Sequence, residues 1–231
     1  MKNYVSLLLS LFCLSTKAQE VDSSWFQKPT FSFEAFADVY YIFDFNQPTT
    51  TFRQPFLYNH NRHQEVNLNL GYLKWSLLQD TYRANFALQA GTYAQDNYAT
   101  EPDLLRSILE ANIGITLDKQ NQLWFDMGIF PSHIGFESAV SSENWTMTRS
   151  LLAENSPYFL SGAKLTYTPS EEWQISLAAL NGWQRIQRLP SHTIPSIGTQ
   201  ITYKPNTAVT FNWSTFIGSD DPETPPRKRY F

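Results

Sequence analysis

The sequence predicts an all-β fold: an antiparallel up-and-down transmembrane β-barrel, with about nine strands present and the barrel incomplete. Three observations carry this prediction. Apolar residues recur at every second position over long stretches, the links between stretches alternate between short and long, and aromatic residues of the apolar set stand beside the short links. A side-chain period of two is that of a strand with one apolar and one polar face. The 231 residues are 42% hydrophobic and 16% aromatic but only 16% charged, against ~25% charged in an average soluble domain. The formal net charge of −4 argues against a nucleic-acid binder.

The first strand is the clearest. From Phe31 to Phe45 every odd position is apolar or aromatic, whereas the even positions include Ser32, Glu34, Asp38 and Asp44. This stretch is long enough to cross a bilayer at a tilt. The pattern recurs at Val66–Tyr72, Tyr82–Ala90, Leu109–Leu117, Leu123–Ile129, Ala163–Tyr167, Trp173–Ala179, Ile197–Tyr203 and Val209–Ile217. After Tyr72 the apolar set moves to Leu73, Trp75 and Leu77, with Lys74 between them. Either a bulge flips the register or Lys74 snorkels out of an apolar layer.

Long links (Asn46–His63, Gln95–Ser107, Pro131–Tyr158, Trp183–Pro195) alternate with short ones (Gln79–Thr81, Asp118–Asn121, Pro169–Glu172, Pro205–Thr207). Sorting of loop lengths to opposite ends is a property of outer-membrane barrels, with short periplasmic turns and long outer loops. Apolar-face aromatics beside the short turns, Tyr72, Tyr82, Phe125, Tyr167, Trp173, Tyr203 and Phe211, are expected to form an interfacial girdle. The opposite face is expected to line a polar interior with Glu34, Asp38, Glu65, Arg83, Glu110, Asp126 and Lys164.

Residues 1–18 read as a signal peptide, with Lys2, the apolar run Val5–Leu14, and Thr16 and Ala18 before a cut at Gln19. Its loss removes two lysines and no acids, leaving 15 basic and 21 acidic residues and no cysteine, because Cys13 is the sole one. This suits a bacterial envelope better than a disulfide-rich scaffold. Residues 19–30 read as a periplasmic lead-in, 31–218 as the strand region, and 219–231 as the start of a further outer loop. A bacterial barrel closes with an even strand count, so the chain is expected to be an N-terminal fragment.

Several stretches resemble the OmpL-like β-barrel porins of Gram-negative bacteria: Leu57–His63, Asn67–Tyr72, Ala90–Tyr98, Gly128–Ser138, Arg149–Tyr158 and Leu180–Ile186. The resemblance implies an integral barrel of the cell outer membrane and says little about the solute carried. It also implies further strands, since members of the family run past the point at which this chain stops.

Catalytic and metal-binding readings are weaker. His60 and His63 have no carboxylate or further histidine close in sequence and read as surface-loop residues. Ser132 and His133, adjacent on an extended chain, point to opposite faces and do not make a nucleophile–base pair. No Gly-x-Ser-x-Gly elbow is present, and no enzyme activity or cofactor is expected. Asn144-Trp145-Thr146 matches a glycosylation sequon, which carries little weight in a bacterial envelope. The link Pro131–Tyr158 is long for a compact protein. Ser142–Ala153 reads as a short helix, and Glu143, Arg149 and Glu154 are candidates for a loop that enters the interior and narrows it.

These features together predict an outer-membrane channel for passive diffusion of small hydrophilic solutes, its partners being outer-membrane lipids, those solutes and the barrel-assembly machinery. A surface adhesin or interaction scaffold built on the long loops is the alternative. A soluble secreted β-sandwich, with the apolar face as its core, is a third reading.

Overall fold

The structure is a computed structural model that describes residues 28–190 and 194–219. The signal segment 1–18, the lead-in up to residue 27 and residues 220–231 lie outside the described residues. Nine strands run in chain order: β1 (Thr30–Tyr41), β2 (Val66–Leu78), β3 (Tyr82–Ala90), β4 (Ile108–Thr116), β5 (Leu123–Pro131), β6 (Phe159–Tyr167), β7 (Trp173–Leu180), β8 (Ser196–Asn206) and β9 (Val209–Ile217). They form one antiparallel sheet in the order β1-β2-β3-β4-β5-β6-β7-β8-β9, each strand pairing with its sequence neighbours. Among the described residues β1 and β9 are not paired with each other, so the sheet is not closed into a barrel. Among the described residues three short α-helices, α1 (Thr92–Asn97), α2 (Asp103–Arg106) and α3 (Leu151–Glu154), lie in the long links.

Register follows from the alternation. Phe31, Phe33 and Ala35 of β1 stand opposite Leu77, Trp75 and Leu73 of β2. All six belong to one face, which we call outer, and its large side chains are exposed along the whole sheet, from Phe31 and Phe33 to Trp213 and Ile217. Long aromatic and β-branched residues on such a face pack against cross-strand neighbours, which favours the extended chain.

The irregularity in β2 is a bulge at Asn69. Asp38 pairs with Leu70 and Val39 with Leu68, so Asn69 is skipped. The extra residue exchanges faces on its two sides. Val66 and Leu68 point outward, whereas Leu70 and Tyr72 turn to the inner face with Lys74 and are buried there. Lys74 therefore needs no snorkelling account. The outward alternation of β1 stops at Tyr41, short of the Phe45 read from the sequence.

Gly91 opens the β3–α1 link at φ 122°, and a Cβ there would strike the Asn69 carbonyl. The left-handed region and the close approach both require glycine. The buried apolar side chains form two clusters. One gathers Leu70, Tyr72, Tyr93, Tyr98, Ile129, Tyr158, Phe159 and Ile186, mixing sheet and link residues. The other, Phe130, Leu160, Ala178, Leu180 and Phe216, lies over β5–β9. Both sit where the long links fold back on the sheet.

Candidate channel lining and loop cap

The inner face carries ordered charge pairs that span more than one strand interval. Arg83 of β3, Gly114 of β4, Asp126 of β5 and Lys164 of β6 occupy one cross-strand row. Arg83 Nε and Nη2 donate to Asp126 Oδ1 and Oδ2 at 2.7 and 2.6 Å, passing over Gly114. A planar fork on a carboxylate is the strong, directional form of this contact. The guanidinium also lies 4.3 Å from the centre of the Trp124 ring. Two inner-face rows farther along, Lys74 of β2 reaches over Ala87 to Glu110 of β4, with Nζ 2.5 Å from Oε2. Small residues in the middle strand leave room for both bridges.

Glu34, Asp38, Arg83, Glu110, Asp126 and Lys164 all lie on this face, and Glu65 precedes β2, accepting from Asn67 Nδ2 at 2.8 Å. They are not equally open. Asp38 is covered by His60, whose Nε2 is 2.8 Å from Asp38 Oδ2, and it also accepts from Asn69 Nδ2. Glu34 accepts a hydrogen bond from the Tyr72 hydroxyl. This last contact corrects the expected placement of Tyr72: the Asn69 bulge removes it from the outer face, and it stacks on Phe36 inside. Tyr82, Phe125, Tyr167, Trp173, Tyr203 and Phe211 point outward near the short turns. Trp173, Tyr203 and Phe211 form a continuous stack, with centroids 4.2 and 6.3 Å apart.

The four long links interlock into a cap. Arg62 Nη1 and Nη2 donate to the two carboxylate oxygens of Asp96 at 2.8 and 3.1 Å, tying the β1–β2 link to α1. Glu101 accepts from the Ile186 and Gln187 amides at 2.9 and 3.2 Å, joining the β3–β4 and β7–β8 links. The Tyr58 amide donates to Glu154 Oε2 at 2.6 Å, and Asn97 Nδ2 donates to the Tyr58 carbonyl. The Tyr158 amide donates to Gln184 Oε1, whose Nε2 donates to the Asn97 carbonyl. Burial of Glu101, Asn97 and Glu154 is tolerated because they find such partners.

The cap also corrects the surface-loop reading of His60 and His63. Residues 59–63 are all buried. The His60 ring packs edge-on to Tyr40 at 5.0 Å, and His63 Nδ1 accepts from the Asp44 amide at 2.8 Å. Among the described residues, no group of three or more His, Cys, Asp or Glu is placed to hold a metal.

The β5–β6 link is laid across the inner face. The His133 carbonyl accepts from Gln200 Nε2 at 2.7 Å and Ser214 Oγ at 2.8 Å, and its Nε2 donates to the Thr215 carbonyl at 2.9 Å. The link thus leaves β5 and is pinned to β8 and β9. Burial holds the His133 imidazole below its ordinary pKa of 6.5. Farther along, Ser132, residues 134–140 and Glu143 face Glu34, Tyr72, Lys74 and Glu110 across a cavity of about 280 Å³.

Secondary structure within this link differs from the expected Ser142–Ala153 helix. A single 3₁₀ turn spans Ser141–Glu143, and α3 starts later, with Ser150 as N-cap accepting from the Ala153 amide at 3.3 Å. Glu143 is exposed. Arg149 and Glu154 are buried within the cap instead of facing the cavity. Arg149 lies 4.0 Å above the Tyr158 ring and donates to the Ala153 carbonyl and Ser156 Oγ. Glu154 accepts from the Tyr58 amide and the Tyr158 hydroxyl, and burial raises its carboxyl above the ordinary 4.5. Glu101, which joins two links, was missed in sequence. Only its partners 85 residues away give it a role.

The sequence model of the family described as "Putative beta-barrel porin-2, OmpL-like" matches residues 30–231. The chain belongs to this family. Its nine-strand up-and-down sheet, apolar outside and polar inside, is the wall such a barrel requires. Family membership carries a porin-like role and an outer-membrane location in general terms. No curated protein and no solved structure matches the chain.

Proposed function

We propose that this OmpL-like chain builds the wall of a water-filled passage through the outer membrane, and that small hydrophilic solutes diffuse through it without turnover or cofactor. The observation that carries the reading is the sorting of side chains by the register. One face bears exposed Phe, Trp, Leu and Ile, and the other bears cross-strand pairs such as Arg83–Asp126 and Lys74–Glu110. In hydrocarbon an unpaired backbone group costs several kcal/mol, so β1 and β9 find strand partners in the membrane and the polar face encloses water. Outer-membrane lipid covers the outer face, the aromatics near the short turns sit at one headgroup level, and barrel-assembly machinery inserts the strands after removal of residues 1–18.

The β5–β6 link, pinned by His133 to β8 and β9, narrows the passage. Glu143 faces the cavity, whereas Arg149 and Glu154 hold the cap together. The test is liposome swelling by the full-length protein with neutral sugars of graded size. Swelling that falls with solute size supports the passage, and absence of swelling in vesicles holding folded protein refutes it. The interlocked cap favours a second reading, a surface-interaction scaffold on a closed barrel, and absence of swelling is its signature.

A further inference from the structure

Below the β5–β6 link the inner face holds a second cavity, of about 450 Å³, between Trp124 and Phe130. Its carboxylates are already occupied. Both oxygens of Asp126 accept from Arg83, and Glu110 accepts from Lys74 and from Asn112 Nδ2. Lys164 differs. Its Nζ lies 4.6 Å above the Phe130 ring, and among the described residues no carboxylate oxygen comes within 4.0 Å of it. Both carboxylates of the cavity thus have a basic partner, Asp126 in Arg83 and Glu110 in Lys74 from outside the lining, and Lys164 is left without one. Thr166, Thr168 and Gln174 line the same cavity, and none of their side chains donates or accepts a hydrogen bond with another described residue.

We propose that this cavity is a subsite for a small polyhydroxylated oxyanion, a sugar acid or a sugar phosphate, with Lys164 as the anion's partner and Thr166, Thr168 and Gln174 as hydrogen-bonding contacts to its hydroxyls. An ammonium left without a carboxylate partner gains most from an incoming anion, and the amide and hydroxyl groups match a polyol body. Phe130 and Trp124 supply flat apolar walls, as is common where a few polar groups fix a ligand's orientation. The inference rests on the passage reading, since the solute reaches Lys164 from the enclosed space.

The test uses the full-length protein, with glucuronate, glucose 6-phosphate and glucose as probes. In planar bilayers, potassium chloride current is recorded while each probe is added. In detergent, calorimetry measures binding of the same probes to folded protein. The two anions are expected to block current and to bind at least about tenfold more tightly than glucose, the scale of one charged hydrogen bond. Lys164→Gln removes that preference, Lys164→Arg keeps it, and Gln174→Ala weakens all three probes. Preference for only one of the anions identifies which oxyanion the subsite takes. Equal binding of all three probes, or an anion preference that survives Lys164→Gln, overturns the subsite. A protein that passes no current but binds the anions through Lys164 refutes the passage and leaves the subsite standing.

Discussion

Arg83 and Asp126 stand on strands separated by β4, and their two-point contact exists because Gly114 between them has no side chain. A Cβ at Gly114 would meet an Asp126 carboxylate oxygen and the Arg83 side chain. The middle strand is thus a spacer whose smallness sets the inner electrostatics.

Gly114→Val is expected to separate the pair and lower the stability of the folded sheet by about 1–3 kcal/mol, because the buried Asp126 loses its partly exposed partner Arg83. Gly114→Ala costs less, since the contacting atoms belong to side chains that shift. Denaturant titration of the protein in detergent, followed by tryptophan fluorescence, measures both. Equal stability of the valine variant and the parent would show that the pair does not form.

Two groups of the β5–β6 link titrate with opposite signs. Glu154 has a folded-state pKa above 4.5, so its contribution is fully present below that value and is lost as pH rises through the folded pKa. His133 has a folded-state pKa below 6.5, so its contribution is present above 6.5 and is lost as pH falls through the folded pKa. Proteolysis of the β5–β6 link across pH 4–8 reads both effects. Glu154→Gln is expected to flatten the loss on raising pH, and His133→Gln the loss on acidification. An unchanged profile in either variant would remove that assignment.

Glu101 joins two links through the Ile186 and Gln187 amides, and loss of both acceptors leaves the buried Ile186 donor and the part-buried Gln187 donor unpaired. Glu101→Ala is expected to speed hydrogen exchange at those two amides by about tenfold or more, consistent with ~1–3 kcal/mol of local stability. Exchange in the strand core, at Phe125 and Leu165, stays unchanged. Uniform acceleration would mean that the cap and the sheet open as one unit.

Removal of residues 138–152 is expected to raise single-channel conductance of the full-length protein, since this stretch carries Ala139, Val140 and Glu143 to the cavity facing Glu34. Glu143→Gln is expected to reduce preference for cations without altering folding, because its side chain is exposed. Unaltered conductance after the deletion would place the link outside the narrowest part of the passage.

The strands were legible in the sequence because a single variable, the alternation along each one, decides which way side chains point. The sorting of link lengths was legible for the same reason. The bulge at Asn69 was not. It is set by how β2 meets β1, and the run Val66–Leu77 permits the flip at several places, so Leu70 and Tyr72 were placed on the wrong face. The roles of His60, Glu101, Arg149 and Glu154 were hidden for a related reason. His60, Glu101 and Glu154 meet partners 22 to 96 residues away, and no local pattern encodes such a meeting; Arg149 is buried with them on its own link, against Ala153, Ser156 and Tyr158. Lys74 and Glu110 are paired over Ala87, a residue that reads as ordinary strand.

The account stands on which face of the sheet meets water. The most direct measurement places single cysteines at Thr202 and Ile201, adjacent residues on opposite faces of β8. Full-length protein in intact membranes is then treated with a water-soluble thiol reagent, and a lipid-phase quencher is used in parallel. Thr202→Cys is predicted to react with the aqueous reagent, and a fluorophore on Ile201→Cys to be quenched from the lipid. Aqueous labelling at Ile201→Cys together with protection at Thr202→Cys would contradict the assignment of the faces and the passage built on it.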